Sequence, residues 1–415
     1  MAENGKTAQS GGGMERREFL TAAGAAALAA GLGAGHGARA EDQPPKAGDK
    51  PKLELGLIGC GGRGNWIADL FQKNGGFKFV AGADYFEDRV KGFGDKFGVA
   101  AERRHTGLSG YKKLLESKLD GVVIESPPFY HPEHAAAAVD AGKHVYVAKP
   151  IAVDVPGCLL HGESGKKATE KKLVYLVDFQ TRAHAFYREA IKRVHNGDIG
   201  KLISAEAVYY TGGTWGDATF DKNSPEARLR HWGIDRVLSG DIITEQNIHA
   251  LDVASWILDA DPIKAVGQCG KKARGACVTC NSYFAVIYTY PDDVLLSFAS
   301  KQCGDGWEDI GCRGFGARGT IDTHYFGDVS VRGKTPYKGG NVGNLFTDGV
   351  VLNIATFYDS IVNSKFDNPT VAPSVRSNLT TVLGRTACYK GQPVTWDELL
   401  KANEKFEFDT KGMKA

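Results

Sequence analysis

A glycine-rich turn after the first apolar strand has the residue types and spacing that suit dinucleotide binding. Residues 53–58 form the strand, and Gly59-Cys60-Gly61-Gly62-Arg63-Gly64 follows it before a helix-like stretch. Gly59 allows a tight turn, Gly61 lets the backbone approach a pyrophosphate, and Gly64 permits close packing of helix on strand. The helix N-terminus adds amide donors and a favourable dipole for the anion. We therefore expect residues 59–64 to hold a pyrophosphate, with Arg63 either reaching it or lying exposed in the turn.

An acidic residue, Asp84, lies one βα unit further on, after the second apolar strand at residues 78–83. A carboxylate at this position accepts hydrogen bonds from both ribose hydroxyls of an adenosine. Its negative charge also repels a 2′-phosphate. The sequence therefore predicts NAD rather than NADP as the cofactor.

The elements that position these residues alternate between strand and helix up to about residue 178. Parallel strands joined by helices are the pattern of a doubly wound sheet. The predicted strands are residues 53–58, 78–83, 121–125, 144–147 and 173–177, and a predicted helix covers 132–141. The first fold unit is therefore expected to be an α/β Rossmann domain.

The pattern changes from about residue 201, where strand-like segments are separated by Gly, Pro, Asn and Asp turns. Such segments indicate an α+β domain with a large, mostly antiparallel sheet. The predicted strands are residues 202–210, 263–269, 283–290, 294–300 and 328–332, with one helix at 242–258 and tail helices at 351–363 and 376–389. The predicted segments are a signal peptide at 1–40, a linker at 41–52, the NAD-binding domain at 53–178, the substrate and oligomerisation domain at 179–350, and C-terminal helices at 351–415.

The first 40 residues have the pattern of an export signal. Arg16 and Arg17 precede a mildly apolar run at 21–35, and Ala38-Arg39-Ala40 forms a cleavage site, so the mature chain is expected to begin at Glu41. Paired arginines at this place are typical of the twin-arginine route, which predicts a periplasmic protein that engages the Tat export machinery. The alternative is a disordered Ala- and Gly-rich leader. The apolar run is too weak to be a stable membrane anchor.

Export constrains the cofactor. The twin-arginine route carries folded proteins, so NAD can be loaded before the protein leaves the cytoplasm. Free NAD is not expected outside the inner membrane, and an exported enzyme that released it at each turnover would stall. We therefore expect a cofactor that stays bound and is oxidised and reduced within one catalytic cycle.

Composition argues against several classes of protein. The 415 residues carry a net charge of +2, which gives no electrostatic case for nucleic acid or an anionic membrane. Eight cysteines in a chain of this length do not indicate a disulfide framework. Cys277 and Cys280 have no second ligand pair at zinc-finger spacing, so semi-buried thiols are favoured over a metal site or a disulfide. No metal is expected.

Several longer motifs resemble the Gfo/Idh/MocA family, which includes glucose–fructose oxidoreductase and inositol dehydrogenase, and the resemblance covers essentially the whole mature chain. The segment 126–131 (SPPFYH) resembles the family's loop beneath the nicotinamide, and 141–150 (AGKHVYVAKP) resembles its AGKHV…EKP motif. The segment 240–252 (GDIITEQNIHALD) is similar to its GGGxLxDxGxHxxD helix, and 385–387 with 392–396 resemble its close. The resemblance implies a small-molecule carbohydrate substrate and a homo-oligomer formed through the C-terminal sheet.

Two positions depart from the family pattern. The acidic residue of EKP is replaced by Ala148, and the family's Asp four residues before the histidine is Glu245. A nearby negative charge normally favours the ammonium form of a lysine, so Lys149 is expected to titrate differently without it.

The resemblance implies that Lys149 and His249 are catalytic, and the chemistry of hydride transfer from an alcohol agrees. Such a transfer needs a base on the hydroxyl, a cation for the developing alkoxide, and orientation over the nicotinamide. His249 suits the base and Lys149 suits alkoxide stabilisation or proton transfer. Glu245, at i and i+4 with His249 in the predicted helix, is expected to orient the imidazole, with Asp252 as the alternative. A histidine that only packs between domains is the competing interpretation.

Further candidates follow from the same motifs. Ser126, Pro127, His131 and Lys149 are expected at the nicotinamide. Gln180 and Arg182 follow the fifth predicted strand, where ligands collect in such sheets. Together with Trp232, Gln246 and His249 they form the predicted substrate wall, and Trp215 is an additional aromatic candidate. For the two tryptophans ordinary packing is the favoured alternative to stacking on a sugar face.

Three functions remain open from the sequence. The first is NAD-dependent oxidation or reduction of a hydroxyl of a sugar or glycoside on a retained cofactor. The second is redox-neutral glycoside cleavage through a transient 3-keto intermediate. The third is a non-catalytic ligand-binding protein, which the alanine at 148 keeps open.

Overall fold

The computed structural model describes residues 52–213 and 218–415. The predicted signal peptide, the predicted linker up to residue 51, and Trp215 lie outside the described residues.

The first sheet contains six parallel strands in the order β3-β2-β1-β4-β5-β6. This is the doubly wound arrangement that the strand–helix alternation predicts. Its strands are β1 (Leu53–Ile58), β2 (Phe77–Asp84), β3 (Arg104–Thr106), β4 (Gly121–Ile124), β5 (His144–Ala148) and β6 (Tyr175–Asp178). Its helices are α1 (Gly62–Asn74), α2 (Glu87–Phe97), α3 (Gly110–Glu116), α4 (His131–Asp140) and α5 (Val155–Glu170), with 3-10 turns at Ala101–Arg103 and Pro128–Tyr130.

Helices α6 (Gln180–Ala183) and α7 (Ala185–His195) connect this sheet to the second. Four further helices follow the first strand of the second sheet: α8 (Pro225–Arg230), α9 (Arg236–Ser239), α10 (Asp241–Glu245) and α11 (Ile248–Leu258), with a 3-10 turn at Trp232–Ile234.

The second sheet contains nine strands in the order β14-β13-β12-β11-β7-β10-β9-β8-β15. All neighbouring pairs are antiparallel except β7 with β10, which is parallel. The strands are β7 (Leu202–Thr211), β8 (Lys264–Gly270), β9 (Tyr283–Thr289), β10 (Leu295–Gln302), β11 (Asp309–Gly316), β12 (Gly319–His324), β13 (Asp328–Gly333), β14 (Tyr337–Asn341) and β15 (Val394–Thr395), with a 3-10 turn at Pro291–Asp293. The sheet confirms the mostly antiparallel α+β part of the predicted fold class.

The tail forms three helices, α12 (Leu345–Val362), α13 (Val371–Lys390) and α14 (Trp396–Ala402). Helix α12 begins before residue 351, so the predicted segment boundary falls inside it. By length and composition alone, this helix is apolar enough to cross a membrane. Its Val350, Ile354 and Phe357 are buried in the core on one face of the first sheet, which is the behaviour of a core helix.

The predicted single helix at 242–258 is wrong, because it is interrupted at Gln246 and Asn247. The N–H of Asn247 bonds back to the carbonyl of Ile242 and closes α10, and the carbonyl of Asn247 then accepts from Ala250 and Leu251 to start α11.

Candidate active site

The glycine turn between β1 and α1 has the geometry that the sequence predicts. Gly59 has a φ of +97°, which a side chain would strain, and a Cβ there would also lie 2.5 Å from the backbone of Glu125 and Ser126. A Cβ on Gly64 would lie 1.9 Å from the carbonyl oxygen of Gly59. These two glycines therefore allow β1, α1 and the end of β4 to meet without side chains between them.

Asp84 ends β2 beside this turn and is anchored by two backbone amides. Its carboxylate accepts from the N–H of Cys60 at 2.8 Å and from the N–H of Phe86 at 2.9 Å. Burial raises the pKa of Asp84, although these amides and Arg89 favour its ionised form. Cys60 contributes its backbone, while its thiol is buried. The carboxylate is thus fixed at the mouth of the turn, where the ribose of a dinucleotide would lie.

A cleft of about 410 Å³ opens over these residues. Its lining includes the glycine turn, Asp84 and the loop after β4. Residues 229–234 also line it. The predicted cofactor residues on its wall are Gly59, Gly61, Gly62, Arg63, Gly64, Asp84, Ser126 and Pro127. The positive φ of Gly59, the open space at Gly62 and the anchored acid of Asp84 all fit an NAD molecule.

Trp232, which was predicted in the substrate wall, lines the cleft that holds the glycine turn and Asp84. Trp232 lies in the 3-10 turn at the cleft and packs against the small apolar cluster of Phe86, Leu229 and Phe408. It faces the Asp84 side of the dinucleotide cleft. The structure therefore groups it with the cofactor cleft and not with Lys149 and His249.

Arg63 leaves the glycine turn and reaches two carboxylates that the sequence reading missed. Its Nε lies 3.4 Å from Oε2 of Glu125 and its Nη2 lies 3.1 Å from Oδ2 of Asp178. Its guanidinium also lies over the rings of Trp66 and Phe346. Arg63 therefore bridges acidic side chains in this structure, whereas the sequence predicted pyrophosphate contact or an exposed turn.

Glu125 and Asp178 lie at the carboxyl ends of β4 and β6. Because ligands of such sheets bind at the carboxyl ends of the strands, this position could have identified both residues as site candidates from the sequence. The two differ in how well they are paired. Asp178 also accepts from the side-chain amide of Asn353 at 2.8 Å. The side chain of Glu125 is 1% exposed, and its Oε1 is buried without a hydrogen-bond partner. Burial, partly offset by Arg63, raises the pKa of Glu125 to about 7.

Lys149 follows β5 and is held by α10. Its Nζ donates to the backbone carbonyl of Glu245 at 2.6 Å and lies 3.4 Å from Oε1 of the same residue. Burial lowers the pKa of Lys149, and the carboxylate of Glu245 partly opposes that shift. Glu245 therefore pairs with Lys149. The predicted orientation of His249 by Glu245 assumed that both lie on one continuous helix, and the helix is interrupted between them.

His249 lies in the first turns of α11 and is 8% exposed. Its ring centroid lies 5.1 Å from that of Tyr325, and its Nδ1 is buried without a hydrogen-bond partner. Burial, together with the charges of Lys149 and Arg63, lowers the pKa of His249 well below its ordinary value. Both effects favour the neutral imidazole over the imidazolium.

His131 is buried beneath the loops rather than open to the cleft. Its Nδ1 lies 2.7 Å from the carbonyl of Pro150 and its Nε2 lies 2.6 Å from the carbonyl of Ser126. A neutral ring can donate to only one of these carbonyls. Burial nevertheless lowers the pKa of His131 to about 4. Its position ties the loop after β4 to the loop after β5 through these two backbone carbonyls.

The remaining predicted substrate residues fall into two groups. Gln180 accepts from the hydroxyl of Tyr325 at 3.4 Å, and Gln246 accepts from the hydroxyl of Tyr209 at 2.8 Å. Both therefore belong to the polar shell around His249. Arg182 instead forms a bidentate pair with Asp252, at 2.9 Å from Nε to Oδ2 and 2.8 Å from Nη2 to Oδ1. Because Asp252 occupies the guanidinium, the structure does not support Arg182 as a substrate ligand.

Asn247 is a polar group of this region that the sequence reading missed. It is fully buried, and both atoms of its side-chain amide lack a hydrogen-bond partner. A buried polar group without partners is costly, which points to a ligand or water that it serves.

All eight cysteines are free, which includes Cys277 and Cys280 as predicted. Among residues 52–213 and 218–415, no group of three or more His, Cys, Asp or Glu side chains has the arrangement of a metal site.

Comparison with family models places both parts of the chain in one family. Residues 53–179 match the oxidoreductase family model with an NAD-binding Rossmann fold, and residues 187–322 match the GFO/IDH/MocA C-terminal domain. Together the two matches cover more than half of the chain.

Curated relatives include inositol dehydrogenases. The chain is 30% identical to inositol 2-dehydrogenase 3 of Saccharopolyspora erythraea over 51% of its own length, and it spans only about half of that relative, 56%. It is 22% identical to inositol 2-dehydrogenase of Salmonella typhimurium over 86% of its own length and 99% of the relative's.

A solved structure supports the fold. Levoglucosan dehydrogenase in complex with NADH and L-sorbose superposes with a TM-score of 0.67 at 16% identity, covering 83% of this chain and 99% of the other.

Proposed function

The chain belongs to the Gfo/Idh/MocA family of NAD-binding oxidoreductases, and we propose that it oxidises and reduces a hydroxyl group of a sugar, cyclitol or glycoside while NAD stays bound. The observation that supports this proposal most directly is a buried histidine, His249, whose Nδ1 has no hydrogen-bond partner and whose pKa is lowered by burial and by the charge of Lys149.

The two side chains divide the proton chemistry. His249 is neutral because burial and nearby cations lower its pKa, so Nδ1 can take the proton of a substrate hydroxyl. Lys149 supplies positive charge against the developing alkoxide, and burial lowers its pKa, which eases release of its proton. Bound NAD supplies the hydride acceptor. Glu245 holds the lysine amine in place through its carbonyl and its carboxylate.

The polar shell suits a hydroxyl-rich ligand. Gln180, Gln246 and Asn247 place amide groups near His249, and amides both donate to and accept from hydroxyls. The Salmonella and Saccharopolyspora relatives act on inositols by name, and the levoglucosan dehydrogenase complex contains L-sorbose. These likenesses support a polyhydroxylated ring as the substrate class.

Redox-neutral glycoside cleavage is a second candidate, because it also needs a cofactor that is oxidised and reduced within one cycle. It requires an additional proton-transfer group for elimination. The buried carboxyl of Glu125, with a pKa raised to about 7, favours keeping this candidate.

Location and assembly complete the proposal. The paired arginines at 16 and 17 support export of the folded holoprotein to the periplasm. Apolar side chains on the second sheet, Val266, Ile287 and Leu295, are 41–47% exposed and support association of two copies through that sheet. Light scattering on the purified protein tests the assembly, and a monomer at micromolar concentration would contradict it.

A single-turnover experiment tests the catalytic assignment. Reduction of bound NAD is followed by absorbance after mixing with a panel of cyclitols, sugars and glycosides, for wild type, Lys149→Ala and His249→Ala. Each substitution should slow reduction by roughly two to four orders of magnitude, the usual range for a positioned acid–base group.

The outcomes of that panel separate the candidate functions and test the two residues. Keto-sugar accumulation supports net oxidation, and aglycone release without accumulated NADH supports cleavage. If both variants reduce NAD at the wild-type rate, Lys149 and His249 do not perform the chemistry. If no compound reduces NAD in the wild type, a non-catalytic binding protein is the better reading.

A further inference from the structure

We infer that residues 225–234 form a clasp, which closes the dinucleotide cleft at its Asp84 end and keeps NAD from leaving between turnovers. The clasp consists of α8 and the 3-10 turn at Trp232–Ile234. The inference rests on the proposed function, which needs a cofactor that stays bound, and it identifies the part of the chain that holds the cofactor in place.

The clasp supplies one wall of the cofactor cleft. Residues 229–234 line the same cavity as the glycine turn and Asp84. Leu229, Trp232 and Ile234 give this wall an apolar surface, and ligand clefts usually bury most of a ligand against such side chains. A dinucleotide held by the glycine turn and Asp84 would therefore lie in a cavity that the clasp helps to enclose.

Local sequence explains why the clasp forms a helix, and packing holds its back. Ser224 caps α8 by accepting from the N–H of Ala227 at 3.2 Å, and Pro225 occupies the first turn. Both residue types favour the start of a helix. Leu229 is 4% exposed and belongs to the small apolar cluster that contains Phe408. The clasp is therefore a formed element of the structure before any ligand binds.

Two polar contacts fasten the front of the clasp to the chain just after Asp84. Arg230 forms a bidentate pair with Asp88 in the first turn of α2, at 3.1 Å from Nη2 to Oδ1 and 3.2 Å from Nη1 to Oδ2. The hydroxyl of Tyr85 donates to the carboxylate of Glu226. The part of the first sheet that carries the predicted ribose acid is thus tied directly to the clasp.

Two further contacts join the clasp to the wall that carries the glycine turn. The guanidinium of Arg230 lies over the ring of Phe86, with 3.9 Å from Cζ to the ring centroid. Nη2 of Arg89 donates to the carbonyl of Arg230 at 3.5 Å. A Cβ on Gly61 would lie 3.6 Å from Nη1 of the same Arg89. Arg89 therefore links the glycine turn to the clasp, and its positive charge suits the diphosphate of a dinucleotide.

The front contacts allow the clasp to open as well as to close. The side chains of Arg230 and Asp88 are 43% and 64% exposed, and exposed ion pairs are individually weak. They can break without exposing the apolar cluster behind the clasp, so NAD can enter. Several contacts must break together before the clasp opens, which slows release. Because salt screens exposed charges, release should quicken as the ionic strength rises.

Loosening the clasp without altering the cleft wall tests the inference, because Asp88 and Glu226 fasten the clasp and neither lines the cleft. The holoprotein of the double variant Asp88→Ala with Glu226→Ala is incubated with excess isotope-labelled NAD. Mass spectrometry of the nucleotide released on denaturation then follows the exchange over time. Loss of the two surface contacts should speed exchange by about three- to tenfold.

Salt dependence separates a looser clasp from a looser fold. In the wild type, exchange should quicken between about 0.05 M and about 0.5 M salt. The double variant should show a smaller acceleration, because the screened ion pair is already gone. Exchange that is faster in the variant but equally salt-dependent would mean that the fold was loosened, and it would overturn the inference. If the double variant does not fold, Asp88→Ala alone is compared in the same way.

Glu87→Ala is the matched control, because it removes an exposed carboxylate from the same turn of α2 and leaves both fastening contacts in place. Its exchange rate should equal that of the wild type. Slow exchange in the wild type and in the double variant alike would overturn the clasp alone. Wild-type exchange that is complete within the time of mixing would overturn the proposed retention of NAD, and the clasp with it.

Discussion

At the scale of single residues, the site depends on side chains whose burial changes their ordinary chemistry. His249 is kept neutral by burial and by two nearby cations, and Lys149 is held against Glu245 rather than left free. Arg63 changes role most, because it lies in the predicted pyrophosphate turn yet pairs with carboxylates at the strand ends. Residue type identified these side chains, but their partners determine what each one does.

Asp84 makes the clearest residue-scale prediction. Asp84→Ala should reduce the NAD that copurifies with the protein and should relax discrimination against NADP, because the carboxylate that accepts ribose hydroxyls and repels a 2′-phosphate is removed. Mass spectrometry of the nucleotide released on denaturation measures both effects. Asp95→Asn, which alters only an exposed ion-pair cluster, is the control. If the denatured wild-type protein releases NADP, or no nucleotide, the proposal of retained NAD is contradicted.

At the scale of elements, the turns and breaks matter more than the regular strands and helices. The interruption between α10 and α11 turns Glu245 toward Lys149 and leaves His249 to a separate helix. The turn from β1 into α1 packs Gly59 against the backbone of Glu125 and Ser126 at the end of β4. Both features place functional groups that a continuous helix or a looser turn would misplace.

Gly64 tests the packing of that turn. Gly64→Ala should destabilise the protein by about 1–3 kcal/mol, because a Cβ would lie 1.9 Å from the carbonyl oxygen of Gly59 and the backbone must shift. Gly92→Ala in α2 is the matched control, since nothing lies within 4 Å of its added Cβ. That change should raise stability slightly, as alanine favours a helix interior over glycine. Equal denaturant midpoints for the two variants would refute the packing argument.

At the scale of the whole molecule, two sheets share one site. The first sheet bears the glycine turn, Asp84 and Lys149, and the helices between β7 and β8 of the second sheet carry Gln246 and His249. Hydride transfer needs this convergence, because a proton acceptor and a charge stabiliser must reach the same alcohol.

Export is the prediction at this scale. Replacing Arg16 and Arg17 with Lys should leave unprocessed precursor in the cytoplasm, because the twin-arginine route reads the arginine pair. Cell fractionation and N-terminal sequencing measure it, and the processed wild type should begin at Glu41. Normal export of the double-Lys variant would show that the pair is incidental.

Periodicity and glycine spacing were enough to predict the six-stranded parallel sheet, apart from β3, and five strands of the second sheet. Five strands were missed, and four of them have physical reasons, whereas β12 has no such local explanation. β3 has only three residues, β15 has two, and β11 and β14 are rich in glycine, which weakens an alternating apolar pattern. Local pattern therefore determined where the chain forms most of its regular elements.

Tertiary structure alone decided which charges meet. The sequence identified Lys149, His249 and Arg63 by type, but nothing local joins Arg63 to Asp178, which lie more than a hundred residues apart. Glu125 and Asp178 gained meaning only when strand register placed them on either side of Ala148. Electrostatic pairing depends on distance in space and on burial, whereas sequence pattern reports only neighbours along the chain. For that reason the ion pairs of Arg63 with Glu125 and Asp178 could not be predicted from the sequence.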